Sequence, residues 1–281
     1  MTSPVILPAL VSPVEDAYSR LTEVFPRLTV RELRPGELTP AGDGWVNAEE
    51  LARGGAALDA FLAWDAAQVL RDHGQEGRPD VVTGFGLHRY AWPACLLVTV
   101  PWFLARRVPR LAPGQVSFRR AHGRMAVRVA EFACLPGDPA ARLPGARVVP
   151  DEEALRAEVR SVVAAHLGPV AEGFAPRMRR GRRSLWGMVT DDLIEGIWHI
   201  GNLLGEESRV ISELELLLPG ALAPYVGIPG FRHLTGPRGE RLATRDRASC
   251  CLFYTLRPDD TCVTCPRTHD TTRVARLLPS A

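Results

Sequence analysis

Ser249-Cys250-Cys251-Leu252-Phe253-Tyr254-Thr255-Leu256-Arg257-Pro258-Asp259-Asp260-Thr261-Cys262-Val263-Thr264-Cys265-Pro266 reads C-C-x10-C-x2-C and holds four of the six cysteines of the 281-residue chain. Four thiolates suit a tetrahedral zinc or a small iron–sulfur cluster. The x2 spacing of Cys262 and Cys265 lets two sulfurs meet across a tight turn. Cys250 and Cys251 are neighbours, and neighbours in a regular strand point to opposite faces. Both can face one metal centre only from a bent backbone. Zinc sites seldom use that arrangement and prefer two loops with x2 to x4 spacing.

A disulfide pair is the remaining bland reading, and it requires an oxidising compartment. Met1-Thr2-Ser3-Pro4 lacks the basic start of a signal peptide, so a cytoplasmic protein is expected. Cys95 and Cys134 stand alone in apolar surroundings and read as small buried hydrophobes. Hydrophobic content of 46% and charged content of 23% fit a soluble globular protein. The net charge of +2, from 34 basic and 32 acidic residues, gives no global nucleic-acid footprint. Every basic residue is arginine, so any anion contact is made by planar guanidinium groups. The sixteen-residue uncharged run from Tyr90 to Ala105 contains Pro93 and Pro101. It falls short of the about 20 apolar residues of a membrane span and predicts a buried helix pair, with no stable membrane insertion.

Outward from these features the chain reads as mostly helical. Ser12-Pro13-Val14-Glu15 predicts a helix start, closed at Pro26. A short strand is expected within Leu28–Leu33. Asn47 and Glu50 predict a capping box and a helix to about Leu70, disturbed at Gly54-Gly55 and stopped at Gly74. Asp80 to Val98 predicts a helix, with a short one restarting at Pro101. Alternation at Val116, Phe118 and Arg120, and again at Val127 and Val129, predicts a β-hairpin with a two-residue turn at His122-Gly123. Residues 136–150 read as a loop. Helices follow over Asp151–Leu167, Ser184–Leu204 and Glu207–Leu218, then a glycine- and proline-rich stretch from Tyr225 to Arg241. The fold class is α+β, a predominantly helical body with a central hairpin and a C-terminal cysteine segment. The boundary is placed between 1–248 and 249–281, with a further division near 136–150 if the body has two lobes.

The pattern C-C-x10-C-x2-C followed by Pro266 resembles the signature of the ferric siderophore reductase family, the FhuF-like proteins. The resemblance covers about the last thirty-five residues. It implies a [2Fe-2S] cluster on Cys250, Cys251, Cys262 and Cys265. It also implies a reductase that passes one electron to the iron of a ferric siderophore, of the hydroxamate type, bound by the helical body. No GxGxxG loop, P-loop or HExxH is present. Gly84-Phe85-Gly86 lacks the strand–turn–helix context of a nucleotide loop. The electron must then come from an external donor such as a ferredoxin or flavin reductase. Arg177, Arg179, Arg180, Arg182 and Arg183 form a basic run before the Trp186 helix. It is either a solvated helix flank or an electrostatic wall for an oxygen-rich ligand. Arg182, Arg183 and Trp186 are the candidate substrate residues.

Residues 227–281 hold nine arginines against five acids, so the cluster is expected in a basic neighbourhood. Arg245 and Arg247 would then add positive charge near the sulfurs and raise the potential. His199 reads as an ordinary helix residue, and His233 and His269 as flanking groups able to hydrogen-bond the centre. Two other readings stay open: a structural zinc protein, and a cluster-bearing redox module with no siderophore substrate.

Overall fold

Ser12 Oγ accepts the backbone N–H of Glu15 at 3.0 Å, and α1 follows over Glu15–Val24. Pro13 lies just before the helix. The computed structural model describes residues 12–278; Met1–Pro4 lie outside the described residues. Next come β1 (Thr29–Glu32), β2 (Trp45–Asn47), α2 (Ala48–Arg53) and α3 (Gly55–His73). Asn47 and Glu50 form the expected capping box, and the break between α2 and α3 falls at Gly54, whose φ is +72°. Gly74 closes α3 in the left-handed conformation.

The uncharged run is one helix, not two. α4 spans Pro79–Ala105 without interruption and buries nearly every face. Pro101 has no N–H for the carbonyl of Leu97, which would be its partner one turn back. The hydroxyl of Tyr18 on α1 donates to that carbonyl instead, at 2.9 Å. An outside donor thus replaces the bond that proline removes, and the helix continues.

After α4 the chain forms β3 (Arg107–Arg110), β4 (Val116–Arg119), β5 (Arg124–Val127), β6 (Glu131–Cys134) and β7 (Ala146–Val148). β4 and β5 pair antiparallel, Arg119 opposite Arg124, as the central hairpin. Their connection holds four residues, a 3-10 turn over Arg120–His122 and then Gly123, rather than the predicted two. The hairpin sits inside a sheet of order β1-β5-β4-β2, and a second sheet has the order β3-β6-β7. β7 lies within the stretch predicted as a loop.

α5 (Glu152–Phe174) extends past the predicted end and carries Pro169 internally. α6 (Arg182–Leu203) and α7 (Glu207–Leu217) match their predictions closely. The glycine-rich stretch yields an unpredicted hairpin, β8 (Phe231–Thr235) with β9 (Arg241–Arg245), and α8 (Asp270–Leu277) ends the described chain. With 53% helix and 14% strand in small sheets, the fold is α+β. α4 packs against α1, α3, α5 and α6. One core runs from Val14 to Tyr225, drawing on residues from either side of 136–150. Cys95 and Cys134 are buried at 1% and 0% exposure. No helix among the described residues is long and apolar enough to cross a membrane.

Candidate iron–sulfur site

β9 delivers the chain to the cysteines, and α6 holds it there. Asp191, in the middle of α6, is fully buried. Its carboxylate accepts from the backbone N–H groups of Ala248 (3.0 Å) and Ser249 (2.8 Å), from the Ser249 hydroxyl (2.7 Å) and from Arg245 (2.6 Å). Four donors on one buried carboxylate compensate its desolvation. They also fix the residues just before Cys250. One turn on, Glu195 accepts from the Thr264 hydroxyl at 2.8 Å and from Arg245 at 3.0 Å. Asp191 and Glu195, at i and i+4 on one helix face, thus hold the two cysteine arms, one each.

The backbone bend required by the adjacent pair is present. Cys250 and Cys251 lie in irregular chain, and Leu252 takes φ +64° before a 3-10 turn at Phe253–Thr255. On the opposite side, Val69, Val81, Phe85 and Leu256 form a small separate apolar cluster against which Cys251, Leu252 and Phe253 pack. Gln75 donates to the Leu256 carbonyl at 2.7 Å. From the C-terminal side Arg273 of α8, 3% exposed, donates to the carbonyls of Cys265 (3.0 Å), Thr268 (3.1 Å) and Arg245 (3.2 Å).

All four cysteines line one cavity of about 360 Å³, together with Phe85, His88, Glu195, Arg247 and Tyr254. Cys265 is 5% exposed, Cys250 and Cys251 are half-buried, and Cys262 is exposed. The N–H of Leu252 donates to Cys250 Sγ at 3.4 Å, and that of Arg267 to Cys265 Sγ at 3.4 Å. Arg247 Nη1 donates to Cys262 Sγ at 3.9 Å. Burial pushes the Cys251 and Cys262 thiols up, while Arg247 pulls both the other way. Among the described residues, no three His, Cys, Asp or Glu side chains converge as ligands of a single ion. The donor set fits a [2Fe-2S] cluster: four sulfurs on one cavity, with N–H donors already directed at two of them.

The two arginines before Cys250 play different parts. Arg245 is fully buried and compensated by Asp191 and Glu195. Only Arg247 brings its charge to a sulfur. Burial alone would depress Arg247; the carboxylates of Glu195, Asp191 and Asp192 hold it above its ordinary range. The expected basic neighbourhood therefore has a carboxylate wall behind it.

The candidate substrate residues lie elsewhere. Arg182 is 73% exposed at the start of α6, 3.3 Å from Glu172, and Arg183 is exposed beside it. Trp186 is 4% exposed, packed edge-on against Tyr225 in the core instead of on a pocket rim. None of the three lines the cysteine cavity. Within the arginine run, Arg180 reaches the site by donating to the Cys250 carbonyl, while Arg177 pairs with Asp59. His233 and His269 are exposed and His199 lies on the far part of α6; the histidines at the cavity are His73, edge-on to Phe253, and His88. Burial would depress His88, but the contact with Asp192 holds it above its ordinary value. His88 and Arg273 carry no local sequence signal; for Asp191 and Glu195 the signal is Asp191-Asp192-x-x-Glu195, acids placed on the inward face of an otherwise apolar helix.

Residues 247–267 match the family model described as the FhuF 2Fe-2S C-terminal domain. The match covers all four cysteines together with Arg247, and it indicates a [2Fe-2S] cluster as cofactor. No curated protein matches the chain.

Proposed function

We propose that this protein, with its C-terminal segment of the FhuF 2Fe-2S type, is a cytosolic ferric siderophore reductase. The observation that carries the reading is the set of four cysteines facing one surface cavity, with Cys262 at the exposed edge. A bound [2Fe-2S] cluster supplies one electron at a time. Siderophore-held Fe(III) accepts that electron and becomes Fe(II), which oxygen chelators such as hydroxamates hold less tightly. A ferredoxin or flavin reductase, as external donor, returns the electron.

The residues of the chain have three tasks in this reaction. Cys250, Cys251, Cys262 and Cys265 hold the cofactor. Asp191, Glu195 and Arg273 fix the arms that carry them. The α3–α4 wall, with Phe85 at its centre, shields the inner cysteines from water and leaves the Cys262 edge for the docked chelate. Outer-sphere electron transfer at that edge asks for no protein acid, base or nucleophile. The arginine run, with Arg182 and Arg183 exposed, provides cations on the approach to Cys250 through Arg180.

Purification without oxygen tests the reading. The expected product is red-brown, holds about two irons per chain and gives an EPR signal after dithionite reduction. A colourless protein with one tightly held zinc would contradict it.

A further inference from the structure

We infer that Arg247 and Glu195 set the reduction potential of the site from opposite sides. The inference rests on the cluster reading above. Among the described residues, Arg247 is the cation whose side chain donates to a cysteine sulfur. Its side chain is 7% exposed, and Nη1 donates to Cys262 Sγ at 3.9 Å. Its Nε lies 3.6 Å from both Asp191 and Glu195, yet makes no hydrogen bond to either. The guanidinium is thus committed to the cavity by position rather than fixed in a saturated ion pair.

Glu195 works against it. Its carboxylate is 18% exposed and lines the same cavity. Thr264 Oγ1 lies 3.9 Å from Cys262 Sγ but gives its proton to Glu195 at 2.8 Å. Glu195 therefore adds negative charge and also withdraws a hydroxyl donor from the sulfur. The other arginine lining the cavity, Arg89, shares the Asp65 carboxylate with Arg120, and His88 contacts Asp192. Reduction adds one negative charge to the centre. A cation or donor at a sulfur favours the reduced state, and an anion disfavours it. A buried pair acts strongly here because little water screens it.

The test is a redox titration of the iron-loaded full chain, followed by EPR and visible absorption. Wild type, Arg247→Gln, Arg247→Lys and Glu195→Gln are compared after iron content confirms loading. The midpoint should fall in Arg247→Gln and rise in Glu195→Gln. Each should change the ratio of oxidised to reduced centre at the wild-type midpoint about tenfold, which is about 59 mV for one electron. Arg247→Lys keeps the charge and should stay closer to wild type. Gln at 195 still accepts from Thr264, so a merely structural role for Glu195 predicts no rise. Loaded variants that stay at the wild-type potential, or move in the same direction, would overturn the inference. Loss of iron from both Gln variants would assign the pair to holding the segment and overturn it as well. A wild-type chain that takes up no iron would instead overturn the cluster reading beneath it.

Discussion

Asp191 carries more of the site than any residue outside the cysteines. It is buried at 0% exposure, and its charge answers that of Arg245, also at 0%. Asp191→Ala leaves the arginine without its closest partner and three other donors unsatisfied. The expected cost is about 3–5 kcal/mol, read from urea unfolding. Cys265→Ser should abolish the cluster and siderophore reduction together, measured as iron content and as ferric hydroxamate turnover. A variant that kept full turnover would contradict the mechanism. At this scale the cysteines were legible because four of six fall within sixteen residues, and the fold places all four on one cavity. Asp191 was not, since an aspartate on a helix becomes an anchor only when a strand 54 residues later in the chain brings Arg245 to it. Trp186 misled for the reverse reason: an aromatic beside an arginine run suggests a rim, and its packing partner Tyr225 is distant in sequence.

The elements follow local periodicity where they are long and diverge from it where tertiary contacts intervene. The long apolar segment is the clearest case. Pro93 and Pro101 argue for a break, but the Tyr18 hydroxyl satisfies the Leu97 carbonyl and α4 runs through 27 residues. Tyr18→Phe should therefore cost about 1–3 kcal/mol through an unsatisfied buried carbonyl, measured by denaturation. The central hairpin was legible from alternation, although its turn was not. Gly123 has φ +58°, and a Cβ there would lie 1.9 Å from the Arg27 carbonyl oxygen. Its residue type answers to the approach of the β1 arm, which no local turn rule contains. Gly123→Ala should destabilise the fold by roughly 1–3 kcal/mol or more through this clash, read as a lower denaturant midpoint. β3, β6 and β7 escaped prediction because each has only three or four residues, with burial set by the neighbouring sheet and α5 instead of alternation.

Over the whole molecule, a helical core supports an iron–sulfur segment lodged between α6 and the α3–α4 wall. That core has a built-in acid sensitivity. His166 is buried, contacts the Leu111 carbonyl through Nδ1 at 2.9 Å and Tyr90 through Nε2 at 2.8 Å, and burial pushes its pKa down to about 4. The unfolded chain binds a proton at that histidine near pH 6.5, and the folded chain does not. Stability should thus be full above about pH 6.5 and fall as pH drops toward about 4, by roughly 2 kcal/mol at pH 5. Urea unfolding of wild type and His166→Gln between pH 7.5 and 5 checks this, with the smaller loss expected in the variant.

The α+β class and the place of the site were legible from helical spacing and one cysteine pattern. The rest of the cavity lining was not, because Phe85, His88 and Glu195 reach it from segments distant in the chain. The most direct measurement is rapid mixing of the reduced, iron-loaded protein with a ferric hydroxamate siderophore under argon. The account predicts that the reduced EPR signal disappears as one Fe(II) per cluster becomes available to a trapping chelator. A reduced signal that persists in the presence of excess ferric siderophore would contradict it.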